Sequence, residues 1–100
     1  MEWKKAKKLF ERHLALTVRQ YSKLTNQHYN NARRTLRNWL FKGYLAMLIC
    51  EERFPFAKKP VKVTYYCLPK NLKRVERWLS YYSNISVKKK LLLPKSLLEE

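Results

Sequence analysis

The sequence predicts an α+β domain: three helices, then a two-stranded β-hairpin, then an additional C-terminal helix. Three observations carry that expectation. Apolar residues recur at helical spacing from Trp3 to Leu40 and again from Leu72. The chain has a single glycine, Gly43, and it stands where the third periodic stretch stops. Past that glycine the composition turns to β-branched, aromatic and aliphatic residues, in two runs divided by a loop bearing proline and lysine.

Each element has its own signal. Trp3, Ala6, Phe10 and Leu14 form one stripe with lysines opposite, so the first helix is amphipathic and packs by that stripe. Thr17-Val18-Arg19-Gln20 is a capping box, in which the Thr17 hydroxyl accepts from the Gln20 amide and the Gln20 side chain accepts from the Thr17 amide. Leu16 and Tyr21 sit at the positions of a hydrophobic staple, which places a short second helix over about 18–24. Thr25, Asn26 and Gln27 carry turn chemistry, and Tyr29, Ala32, Leu36, Trp39 and Leu40 then make the inner face of a third helix. Gly43 ends it, because a residue without Cβ adopts a left-handed cap at least cost. Residues 45–50 and 61–68 read as the hairpin strands, with residues 53–60 as a long loop. Pro69 and Asn71 open a fourth helix, with Leu72, Val75, Trp78, Leu79 and Tyr82 on one side and Lys73, Arg74, Glu76 and Arg77 on the other. One domain therefore spans residues 1–83. Residues 84–100 form a basic and apolar C-terminal arm for which strand, partner-binding arm and mobile tail all remain open.

Charge narrows the function. Lys and Arg number 23 against 7 acidic residues, a formal charge of +16, and such a field calls for a polyanionic partner. Location says more than the total: the acids are Glu2, Glu11, Glu51, Glu52, Glu76, Glu99 and Glu100, so nothing negative lies between Arg12 and Cys50. A chain that is 46% apolar has the material for a core, which argues against a disordered basic tail. The longest apolar run, residues 44–50, falls well short of the ~20 residues that span a bilayer. The N-terminus has no secretory-signal pattern, so a cytoplasmic location is expected. No acid or base pair, nucleophile constellation or phosphate-cradling glycine loop is visible, and neither an enzyme nor a cofactor is expected. His13, His28, Cys50 and Cys67 have no metal-ligand spacing.

The order of these elements resembles the winged helix-turn-helix family over roughly residues 9–69. Leu16-Thr17-Val18-Arg19-Gln20-Tyr21 is similar to that family's opening of its second helix. Ala32, Leu36 and Trp39 match the buried positions of its recognition helix, and Leu40-Phe41-Lys42-Gly43-Tyr44-Leu45 resembles its hand-over from recognition helix to wing. Where the family usually has a glycine before the recognition helix this chain has Asn26, a mild departure because Asn tolerates the left-handed region. In size and basicity the chain also resembles the small winged-helix regulators of archaeal viruses and plasmids. The resemblance implies a sequence-specific, double-stranded DNA-binding transcription regulator, with a recognition helix over about 27–41 in the major groove and a wing over about 51–60 at the minor groove or backbone.

The residues suit that role. With Ala32, Leu36 and Leu40 inward, a 100° step per residue turns Gln27, Asn30, Asn31, Arg34, Arg37 and Asn38 outward, with Arg33 at the edge of the arc. Arg pairs bidentately with guanine and Asn or Gln with adenine, so these six are the candidate base readers. The competing reading, an ordinary solvated polar face, has against it the lack of any acid on the helix. Arg19, Ser22, Lys23, Arg33 and Lys42 are candidates for backbone phosphates, and Arg53, Lys58 and Lys59 for the wing. Phe54 and Phe56 are expected to cover the open side of the hairpin rather than to intercalate. Pairing Phe56 with Val61 would bring Cys50 opposite Cys67, near enough for a cross-strand disulfide, with free buried thiols as the other possibility. A homodimer through the first and fourth helices is expected, its candidate surface Trp3, Phe10, Trp78, Leu79 and Tyr82, although the same side chains suit a core. The alternative function is a nonspecific architectural or packaging protein that coats nucleic acid by charge.

Overall fold

The structure, a computed structural model, describes residues 2–81 and 85–91. In chain order these form α1 (Trp3–Arg12), α2 (Val18–Thr25), α3 (Tyr29–Phe41), β1 (Ala46–Glu52), β2 (Val61–Cys67), a 3-10 turn (Pro69–Asn71), α4 (Leu72–Tyr81) and β3 (Ile85–Leu91). The domain is α+β, with four helices and a three-stranded antiparallel sheet among the described residues.

The helix ends follow from local chemistry. Thr17 caps α2, its hydroxyl accepting from the Gln20 backbone amide at 3.1 Å, and the Gln20 side-chain Oε1 accepts from the Thr17 backbone amide at 2.9 Å. Asn26 ends α2 at φ 53°, in the left-handed region that its short polar side chain tolerates. Gly43 ends α3 at φ 82°. There the Tyr44 amide donates to the Trp39 carbonyl at 2.9 Å and the Gly43 amide to that of Leu40 at 3.1 Å, the paired bonds of a Schellman motif. Trp3 seals the junction, its ring lying 5.1 Å from Trp39 edge-on and 5.0 Å from Tyr44 in a stack.

The sheet has β1 at its centre, in the order β2-β1-β3. Residues 85–91, within the arm left open by the sequence, are thus a third strand on the far edge of the hairpin; residues 92–100 lie outside the described residues. Alternation divides the side chains of β1 between two cores. Ala46, Leu48 and Cys50, with Cys67 of β2, pack on Val75 and Leu79 of α4. Met47 and Tyr66 turn the other way, onto the core formed by Ala6, Phe10, Leu16, Tyr21, Ala32, Leu36 and Leu40 of the helical half. A two-way backbone bridge between Leu16 and Tyr66, at 2.9 and 2.8 Å, ties the entrance of α2 to β2.

Three expectations are corrected. The hairpin pairs Glu52, not Phe56, with Val61, so Cys50 lies opposite Val63 and Cys67 opposite Ala46. Four residues of offset at ~3.3 Å each exceed the Cα separation of ~7 Å that a disulfide bridges, and both thiols are free and buried. The register moves because Pro55 has no amide to give a ladder; residues 54–57 instead form a turn in which Ala57 donates to the Phe54 carbonyl at 3.1 Å. Second, of the side chains assigned to the candidate dimer surface, Phe10 and Leu79 are fully buried in the core and Trp3 is half-buried against the Trp39 and Tyr44 rings; Trp78 is exposed, and Tyr82 lies outside the described residues. Third, Tyr29, assigned to the inner face of the third helix, is 49% exposed because it stands at the first helical position, beyond the last layer of the core.

Candidate nucleic-acid interface

The outward face of α3 is held by what lies beneath it. Ala32, Leu36, Trp39 and Leu40 are buried, which fixes the helix rotation and leaves Asn30, Asn31, Arg33, Arg34, Arg37 and Asn38 exposed. Asn30, Arg33, Arg34, Arg37, Asn38 and Phe41 together line a shallow concavity on this face. A second, longer groove runs between α2, α3 and β2, lined by Arg19, Arg33, Arg37 and Lys62 among its cations and by Tyr29, Phe41 and Tyr66 among its aromatic rings. Arg33 and Arg37 belong to both, so the helix face and the groove form one continuous basic surface. No carboxylate lines either.

The floor of the groove reports the arginines directly. Burial raises the Tyr66 phenol above its ordinary pKa, while the nearby Arg37 and Arg33 guanidinium groups pull it back and the Tyr29 ring side adds to the rise. Arg33, Arg37 and Tyr66 line the same groove between α3 and β2. Behind them Tyr21 is fully buried; burial raises its pKa too, opposed by a hydrogen bond with the Gln27 side chain.

That bond corrects one candidate reader. His28 caps α3, its Nδ1 accepting from the Asn30 amide at 3.2 Å, so the helix begins at Tyr29 and Gln27 belongs to the preceding turn. The Gln27 amide donates to the Ser22 carbonyl at 3.1 Å, and the Ser22 hydroxyl donates to the Gln27 carbonyl at 2.6 Å. Gln27 and Ser22 thus lock the α2–α3 turn, and the Ser22 hydroxyl is committed to that bond. Asn31 is exposed on the far flank of α3, and Lys23 and Lys42 are exposed outside both concavities.

The β1–β2 loop supplies a second basic cluster. Arg53, Lys58 and Lys59 surround a small hollow with Phe54, Ala57 and Pro60. Contrary to expectation, Phe56 covers nothing and is 99% exposed. Its neighbour Phe54 is half-exposed. The strand acids are engaged by the sheet: Glu51, opposite Lys62 on β2, lies 4.0 Å from Lys88 of β3, and Glu52 alternates to the α4 side, where its charge adds to the rise that burial gives the pKa values of Cys50 and Tyr65.

Four residues lining these concavities were not anticipated as site residues: Tyr29, Phe41, Lys62 and Tyr66. For Phe41 the signal was present, since a 100° step places it on the outward arc between Arg37 and Arg34; it is 52% exposed. Lys62 and Tyr66 depend on strand register, which the sequence left uncertain.

Among the described residues no group of His, Cys, Asp or Glu is placed to hold a metal ion, and no helix is long and apolar enough to cross a membrane. No protein-family model matches the chain, and no curated protein or solved structure matches it either.

Proposed function

We propose that this chain is a winged helix-turn-helix protein that binds double-stranded DNA sequence-specifically and regulates transcription. The observation that carries the proposal is the unbroken basic surface of α3 and the adjoining groove, which contains arginines and asparagines at one helix face and no carboxylate. In this reading α3 enters the major groove, Arg34 and Arg37 pair with guanine, Asn30 and Asn38 with adenine, and Phe41 packs on a thymine methyl. Arg19, Arg33 and Lys62 hold phosphates and set the docking angle. The loop at 53–60 is the wing, and its cations reach the adjacent minor groove or backbone.

Rigid support favours this assignment over a merely solvated face. The α2–α3 turn is fixed by the Ser22–Gln27 bonds, and the exit of α3 by the Gly43 cap. Base reading requires such fixed placement, since recognition side chains act only when held near their productive geometry.

The test is a titration of duplexes by the wild type, Arg34→Ala and Arg77→Ala, the last being a charge-matched control on α4. Sequence-specific binding predicts that Arg34→Ala loses ~1–3 kcal/mol on the preferred site and little on scrambled DNA, with Arg77→Ala near wild type on both. Equal losses for both variants on every duplex would favour a coat that binds by total charge.

A further inference from the structure

We propose that Phe56 is a wedge that enters the duplex from the minor groove, partly unstacks a base step and kinks the DNA. The proposal rests on the duplex-binding reading above. Its ground is a side chain that the fold leaves entirely in water at the outermost point of the hairpin: Phe56 is 99% exposed. An isolated aromatic in solvent is common, but the backbone beneath this one is closed in a turn. Residues 54–57 form a turn closed by the Ala57 amide on the Phe54 carbonyl at 3.1 Å, with Pro55 fixing φ at the second position and Phe56 following at the third. The ring is thereby presented on a stiff tip.

The charge around the tip names the partner. Arg53, Lys58 and Lys59 flank the ring, and the loop from 53 to 60 contains no acid. Val61 and Lys62, which follow the loop directly, line the same groove as Arg33 and Arg37 of α3, so the loop hollow and the groove are neighbours along β2. A duplex lying along that groove meets the tip next, with lysines placed for the phosphates on either side of the step that the ring enters. Apolar wedges set between cations are the means by which minor-groove proteins kink DNA, by ~20–90°, with pyrimidine–purine steps yielding most easily.

The experiment uses the full chain and a duplex of mixed sequence with donor and acceptor dyes at its ends and a 2-aminopurine beside a central TA step. Wild type is expected to raise energy transfer on binding and to raise 2-aminopurine emission. Phe56→Ala should bind the duplex yet leave both signals near those of free DNA, and Phe56→Leu should restore them. Because the side chain touches nothing in the fold, all three proteins should melt at the same temperature. Wild-type binding without a change in energy transfer, or an equal change with Phe56→Ala, would overturn the wedge and leave duplex binding intact. Failure to bind any duplex at low salt would overturn the underlying reading as well. Phe56-dependent binding to phosphatidylserine vesicles alongside straight DNA would assign the ring to a lipid surface and overturn the proposal.

Discussion

In the proposed function, single side chains of the basic surface divide by the kind of information they hold. Arg34 and Arg37 sit on a helix face whose rotation is fixed by buried Leu36 and Leu40, whereas Lys59 sits on a loop among other cations. Lys59→Ala should therefore weaken binding by a similar factor on every sequence and lower the salt slope by about one, without altering base preference. The buried thiols have a different consequence. Burial, with the charge of Glu52 adding, pushes Cys50 up to about 11, and burial pushes Cys67 up to about 12, from an ordinary 9.0. In the unfolded chain both ionise near 9, while the folded state keeps its protons, so ionisation favours unfolding. Stability is complete below pH 9 and falls as the pH rises toward 11, which urea midpoints at pH 7 and pH 10 will show. At pH 8 a thiol reagent should modify neither cysteine in the native protein and both in urea; rapid native labelling would contradict the buried, unbridged arrangement.

Helix boundaries were legible because their determinants are local. The capping box at Thr17 and Gln20, the tolerance of Asn26 for positive φ and the lone Gly43 each act within four residues, and all three end or begin helices in the structure. Thr17→Ala should cost about 1 kcal/mol in urea unfolding, and Gly43→Ala about 1–2 kcal/mol, since a Cβ is disfavoured at φ 82°. Hairpin register was not legible, because it depends on where a loop with two prolines stops pairing, and every residue opposite shifts with it. That one uncertainty accounts for the misplaced Cys50–Cys67 pair and for the omission of Lys62 and Tyr66. The third strand was hidden for a similar reason: β3 finds its place only against β1, with a register shift between Ile49 and Cys50. Its salt bridge from Lys90 to Glu76 of α4, at 2.8 Å, is half-exposed and adds at most about 1 kcal/mol. The face of α3 was readable almost whole; Gln27 lies ahead of the helix and not on it, because His28 is the capping residue.

At the scale of the molecule, the +16 charge is unevenly placed, with no acid between Arg12 and Cys50. None of the acids of β1 and α4 lines the α3 face, the groove or the loop hollow, although Glu51 and Glu52 stand opposite Lys62 and Val61 on the neighbouring strand. A surface of that kind binds any nucleic acid at low salt, and affinity should fall linearly on a logarithmic salt scale with a slope of about −0.9 for each phosphate neutralised. Specificity is the separate and more demanding property, and in the proposed function it depends on α3. Selection from a pool of random duplexes, with recovered sequences compared between wild type and Arg34→Ala, measures it most directly. A short motif that wild type enriches, and whose guanine the variant ceases to require, is the result expected. Recovery of sequences no different from the starting pool would contradict base reading by α3 and leave only binding by charge.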